Sequence, residues 1–107
     1  MLKEVETMGE TATIEPSEVK RRIENGERLN VVDVREDEEV AAGIIPGAKH
    51  IPLGQLPDRY GEIERTDEIV LVCRSGARSG RACDYLQSLG FAGVKNMTGG
   101  MLAWEKL

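Results

Sequence analysis

The sequence predicts an α/β domain with a mostly parallel central sheet of about five strands, flanked by helices on both faces. Three observations predict it. Leu29 to Val34 and Glu68 to Val72 are short runs rich in β-branched residues, the kind that a sheet covered on both faces buries. Strand-like and helix-like segments alternate along the chain, the order of βα units. Three of the helix-like segments meet a glycine at their end, Gly26, Gly43 and Gly90, where a chain stops a helix and turns. With 107 residues the chain fits one small domain with one core. We expect residues 1–10 to be a loose leader and residues 11–107 to form the domain.

Each element has its own signal. Thr11 to Ile14 reads as a short first strand. Pro16-Ser17-Glu18 opens a helix, with Val19 and Ile23 four apart on one face and Gly26 to end it. Leu29 to Val34 is the first clear buried strand. Glu36 to Ala42 is a short helix stopped by Gly43, its acidic first turn suited to the helix dipole. Pro46-Gly47 marks a turn, Ala48 to Leu53 a short extended piece, and Leu56 to Ile63 a short helix. Glu68 to Val72 is the second clear strand. Ser79 to Leu89 is the best helix, with Ala82, Leu86 and Leu89 on its apolar face. Gly93 to Met97 is a last strand and Gly100 to Lys106 a last helix.

Composition bounds the function. Net charge is −5, which argues against general nucleic-acid or membrane-surface binding. No apolar run approaches the roughly 18 residues that span a bilayer. Residues 1–10 hold no continuous apolar segment, so no signal peptide is read and the cytoplasm is the expected compartment. Two cysteines make no disulfide framework and are expected as thiols there. Charge is uneven, however. Residues 36–39 are all acidic, whereas residues 74–81 hold three arginines and no acid. A basic loop on an acidic chain suits a small anionic substrate.

That loop carries the chemistry. Cys73 ends the second buried strand, at the carboxyl edge where parallel sheets place their functional loops. Ser75 and Gly76 are small enough for the backbone to curl its N–H groups inward as an anion nest. The next helix adds its positive end, and Arg74 and Arg78 add full charges. Together these lower a thiol pKa from about 8.5 toward 7 or below, which makes Cys73 a candidate nucleophile.

Four segments in order resemble the rhodanese-type sulfurtransferases. Cys73-Arg74-Ser75-Gly76-Ala77-Arg78-Ser79 resembles that family's active-site loop. Val32-Asp33-Val34-Arg35-Glu36, with Glu39, resembles its first signature. Gly43-Ile44-Ile45-Pro46-Gly47-Ala48-Lys49-His50-Ile51-Pro52-Leu53 resembles its glycine-proline signature, and Met97-Thr98-Gly99-Gly100-Met101-Leu102-Ala103-Trp104 its C-terminal segment. The likeness runs from about residue 12 to residue 104. Ile44 stands where the family often has histidine, Val40 where it often has an aromatic, and Asp37 where it often has proline.

The resemblance implies a persulfide relay. Cys73 would take the sulfane sulfur of a small anionic donor such as thiosulfate or a polysulfide, and a thiol or cyanide acceptor, or a sulfur-relay protein, would remove it. It implies no metal or organic cofactor, and a monomer is the default. Arg74, Ser75, Gly76, Ala77 and Arg78 would bind the substrate, with Asp33, Arg35 and Ser79 in support. Asp33 and Arg35 are expected to pair with each other or with the active loop, since a buried carboxylate needs partners. Cys83 reads as a core cysteine rather than a resolving thiol, His50 as a surface residue, Arg81 equally as solvated or steering, and Trp104 as packing for the last helix.

Three rivals stand beside this reading. Cysteine phosphatases and arsenate reductase relatives place five residues between cysteine and arginine, whereas four separate Cys73 from Arg78. A non-catalytic module typically lacks the cysteine. A redox sensor would join Cys73 to Cys83.

Overall fold

The structure is a computed structural model that describes residues 11–107; the expected leader over residues 1–10 lies outside them. The described residues form strands β1 (Ala12–Ile14), β2 (Val31–Asp33), β3 (Lys49–His50), β4 (Ile69–Val72) and β5 (Val94–Met97). Helices α1 (Pro16–Glu24), α2 (Asp37–Ala41), α3 (Leu56–Arg59), α4 (Ala77–Ser88) and α5 (Gly100–Trp104) alternate with them, and single 3₁₀ turns flank α3. The five strands form one sheet in the order β1-β5-β4-β2-β3, and every neighbouring pair is parallel. None of the helices in the described residues is long and apolar enough to cross a membrane.

Strand pleating divides the core in two, because successive side chains point to opposite faces. Ile69, Leu71 and Cys73 pack with Ala82, Cys83 and Leu86 of α4 and with Leu56, Ile63 and Phe91. Val70 and Val72 pack on the other face with Val19 of α1, Met97, and Met101 of α5. Both faces of β4 are therefore dry, which is why its four residues are all apolar. The same alternation decides where the thiol goes. Cys73 follows Leu71 on the α4 face, so its side chain is delivered to the helix that starts four residues later.

Most element boundaries fall within two residues of the sequence reading. Two differences matter. The best helix begins at Ala77, not Ser79, because Gly76 takes a left-handed conformation (φ 108°) that ends the loop early. Arg78 and Ser79 therefore lie in the first turn of α4. His50 is not a surface residue: it is half-buried, and its Nε2 donates to the Arg35 carbonyl at 2.7 Å. Trp104 is partly buried against the α1 face of the core, as expected.

Candidate active site

Cys73 lies just beyond β4 with 1% of its surface exposed. Its Sγ receives the Gly76 N–H at 3.0 Å and the Ser79 hydroxyl at 3.3 Å. Burial pushes the thiol pKa up, since an apolar site disfavours charge. Hydrogen bonds from the Ser79 hydroxyl and from the amides of Ser79, Gly76 and Ser75 outweigh it, and the net direction is down. The sulfur thus rests in a cradle of N–H and O–H donors at the start of α4.

Ser79 is itself held from behind. It is fully buried, and its Oγ lies 2.5 Å from Asn96 Oδ1 on β5. The Asn96 amide donates to the Gly76 carbonyl at 2.9 Å. One side chain on the neighbouring strand thereby fixes both the hydroxyl and the loop glycine. A hydroxyl has one proton, so Ser79 serves Asn96 or the sulfur at any moment, and a negative sulfur is the stronger acceptor. Sequence reasoning missed Asn96. Its only signal is a polar residue in an otherwise strand-like run facing a glycine loop.

The last helix closes the other side. The first N–H groups of α5 have no partner within the helix. Met101 N–H instead bonds the Cys73 carbonyl at 2.8 Å, and Leu102 N–H the Arg74 carbonyl at 3.0 Å. Such an approach requires glycine. A Cβ on Gly100 would lie 2.4 Å from the Arg74 carbonyl oxygen and 2.5 Å from that of Cys73, and its φ is +57°. The paired glycines therefore dock α5 onto the loop that carries the sulfur.

The arginines are placed less uniformly than the sequence suggests. Arg74 and Arg81 are exposed. Arg78 is half-buried and makes a two-pronged pair with Glu39 of α2, Nη1 to Oε1 at 2.7 Å and Nη2 to Oε2 at 2.8 Å. Its fork holds the Glu39 carboxyl at a pKa of about 2. The guanidinium is in turn raised, first by Glu39, and the charge on Cys73 contributes further.

Asp33 and Arg35 pair with each other. Arg35 Nε and Nη2 reach the Asp33 carboxylate at 2.9–3.1 Å, and both residues are buried. Arg35 also donates to the Glu39 and Gly43 carbonyls at 3.2 and 2.7 Å. The pair thus acts on α2 and the segment after it, and meets the loop only through Glu39. Ser75 and Ala77 are exposed beside the cradle. Cys83 is fully buried in the same apolar cluster as Cys73, and burial, with Asp84 nearby, pushes its thiol up to about 12. Both cysteines are free thiols. No group of three or more His, Cys, Asp or Glu side chains placed to hold a metal occurs among the described residues.

Known proteins resemble this chain in sequence and fold. The rhodanese-like domain model matches residues 15–107. The chain is 47% identical over 96 residues to YtwF of Bacillus subtilis, provisionally named a sulfurtransferase, covering 90% of this chain and 92% of that protein. It is 39% identical over 93 residues to a protein of Allochromatium vinosum named sulfurtransferase, covering 87% of each. A rhodanese-like domain protein of Staphylococcus aureus, known from a crystal structure, superposes with a TM-score of 0.82 at 36% identity, covering 88% of this chain and 91% of that one. On this combination of sequence, fold and match length, the chain belongs to the rhodanese-like domain family.

Proposed function

We propose that the protein is a sulfurtransferase that moves a sulfane sulfur through a persulfide on Cys73. The observation that carries the proposal is the donor cradle around Sγ: hydroxyl and amide hydrogens converge on one sulfur at the end of β4. Such donors stabilise a thiolate, and they serve equally when negative charge passes to a second sulfur beyond it.

The steps balance without an outside oxidant. The Cys73 thiolate attacks the sulfane sulfur of thiosulfate. A new S–S bond forms, the donor's S–S bond breaks, and sulfite leaves with the electron pair. Cyanide then attacks the outer sulfur, thiocyanate departs, and the Cys73 thiolate returns. No proton moves in either step, so no general base is needed once the thiol is ionised. A thiol, or a thiol on a sulfur-relay protein, can replace cyanide. Ser75, Gly76 and Ala77 would line the donor's path, and Arg74 is the exposed cation nearest to it in sequence.

The test is thiosulfate:cyanide sulfur transfer by the parent protein and by Cys73→Ser, with an aryl phosphate offered in parallel. Thiocyanate formation lost with the cysteine supports the proposal. Phosphate release that requires Cys73, without thiocyanate, would replace it with a phosphatase. The four-residue spacing to Arg78 makes a smaller loop than phosphatases use, and the buried, high-pKa Cys83 makes a poor resolving thiol.

A further inference from the structure

We propose that Glu39 sets the charge selectivity of the site: by binding Arg78 it withdraws that cation from the sulfur loop, and so turns Cys73 from doubly charged donors toward singly charged persulfides. The proposal rests on the persulfide reading of Cys73 and adds to it a substrate class. Three observations carry it. The Glu39–Arg78 pair uses both carboxylate oxygens and both terminal guanidinium nitrogens, which makes it electrically neutral as a unit. Glu39 is not free to leave. Its Oε1 also accepts the Glu36 N–H at 2.8 Å, and its carbonyl accepts from Arg35, which the buried Asp33 anchors. Arg78, meanwhile, stays within electrostatic reach of the sulfur, since the charge on Cys73 acts on it.

The consequence is a site whose attraction for anions comes from backbone and hydroxyl dipoles and from exposed Arg74. Dipoles suit one localised negative charge. A dianion needs a further cation to offset its second charge, and Glu39 has engaged the half-buried Arg78. Glu36 adds to the anionic side, as its charge also acts on Arg78.

Charge selectivity can be read from Cys73 itself. The rates of alkylation by iodoacetate, an anion, and by iodoacetamide, its neutral counterpart, are compared by mass mapping of Cys73. Both reagents attack the same thiolate, so their ratio cancels the thiolate fraction and isolates the field. Glu39→Gln keeps the Glu36 cap, which glutamine can also make, while removing the charge. It should raise the iodoacetate-to-iodoacetamide ratio on the order of three- to tenfold, and added salt should erase the gain.

Arg78→Gln should move the ratio the opposite way, because it leaves Glu39 unbalanced. The neutral double variant should return toward the parent ratio. With thiosulfate and 2-hydroxyethyl persulfide, whose only charge is on the persulfide itself, as donors, Glu39→Gln should favour thiosulfate by a similar factor. An unchanged ratio in Glu39→Gln, or equal ratios in the two single variants, overturns the proposal. A predicted shift in ratio with no sulfur ever transferred would instead overturn the persulfide reading and leave Glu39's electrostatic role standing.

Discussion

Replacing Ser79 with alanine tests the cradle at its most specific point. The substitution removes one hydroxyl donor, 3.3 Å from Sγ, and leaves the Gly76 amide in place. A hydrogen bond to a charged acceptor is worth about 1.5–3 kcal/mol. Sulfur is a diffuse acceptor and Ser79 also serves Asn96, so the low end applies, about 1.5 kcal/mol. That corresponds to about a tenfold smaller ratio of thiolate to thiol. The thiolate that remains is more basic and hence a better nucleophile, which recovers about half of the loss on a logarithmic scale.

The net expectation for Ser79→Ala is an iodoacetamide reaction slower by up to about threefold at neutral pH, an equal or faster one at high pH, and a midpoint displaced upward. Asn96 Oδ1 also loses its partner, so stability should fall by about 1 kcal/mol. The assay is the pH dependence of Cys73 alkylation, with circular dichroism to establish that the variant is folded. A midpoint that stays in place or moves down would refute the argument that Ser79 stabilises the thiolate.

Two other perturbations probe the frame around it. Gly100→Ala drives a methyl group into the Cys73 and Arg74 carbonyls and forces a positive φ on a residue with a side chain. Denaturant melts should show a loss of more than about 2 kcal/mol, and a near-neutral result would mean that α5 does not depend on this contact. Glu68 is held at a pKa of about 2, first by Arg22 and then by Lys95, against an ordinary 4.5. The unfolded chain binds the proton first as pH falls, so the stabilisation is complete above about 4.5 and is lost on the way down to about 2. Glu68→Gln should flatten stability across that window by on the order of 1–2 kcal/mol after solvent screening; an equally steep acid profile would assign the slope elsewhere.

What the sequence makes legible follows from what is local. Runs rich in β-branched residues mark β2 and β4, and the position of Cys73 one residue past β4 follows from the run itself. Its loop reads from small residues and arginines a few positions apart. The partners that define the site are not local. Glu39 and Arg78 lie 39 positions apart, and the parallel crossover, not any spacing pattern, brings them together. Asn96 looks like any polar residue in a half-exposed strand until β5 is placed beside β4.

The arginines show the same limit. As letters they promise charge for an anion, but Arg78 already has a carboxylate partner. His50, the only histidine in the sequence and two residues before a proline, gives no hint that it bonds the backbone of Arg35. The early start of α4 has a simpler cause. Gly76 reads as part of a curled anion nest, whereas its left-handed conformation also lets the helix begin at Ala77.

The central claim is that Cys73 carries the transferred sulfur. Intact mass and peptide mapping after incubation with excess thiosulfate test it most directly. The account predicts a gain of one sulfur atom located on Cys73, removed on addition of cyanide with an equal yield of thiocyanate. Thiocyanate formed while Cys73 stays unmodified through the cycle, or a sulfur found on buried Cys83 instead, would contradict it.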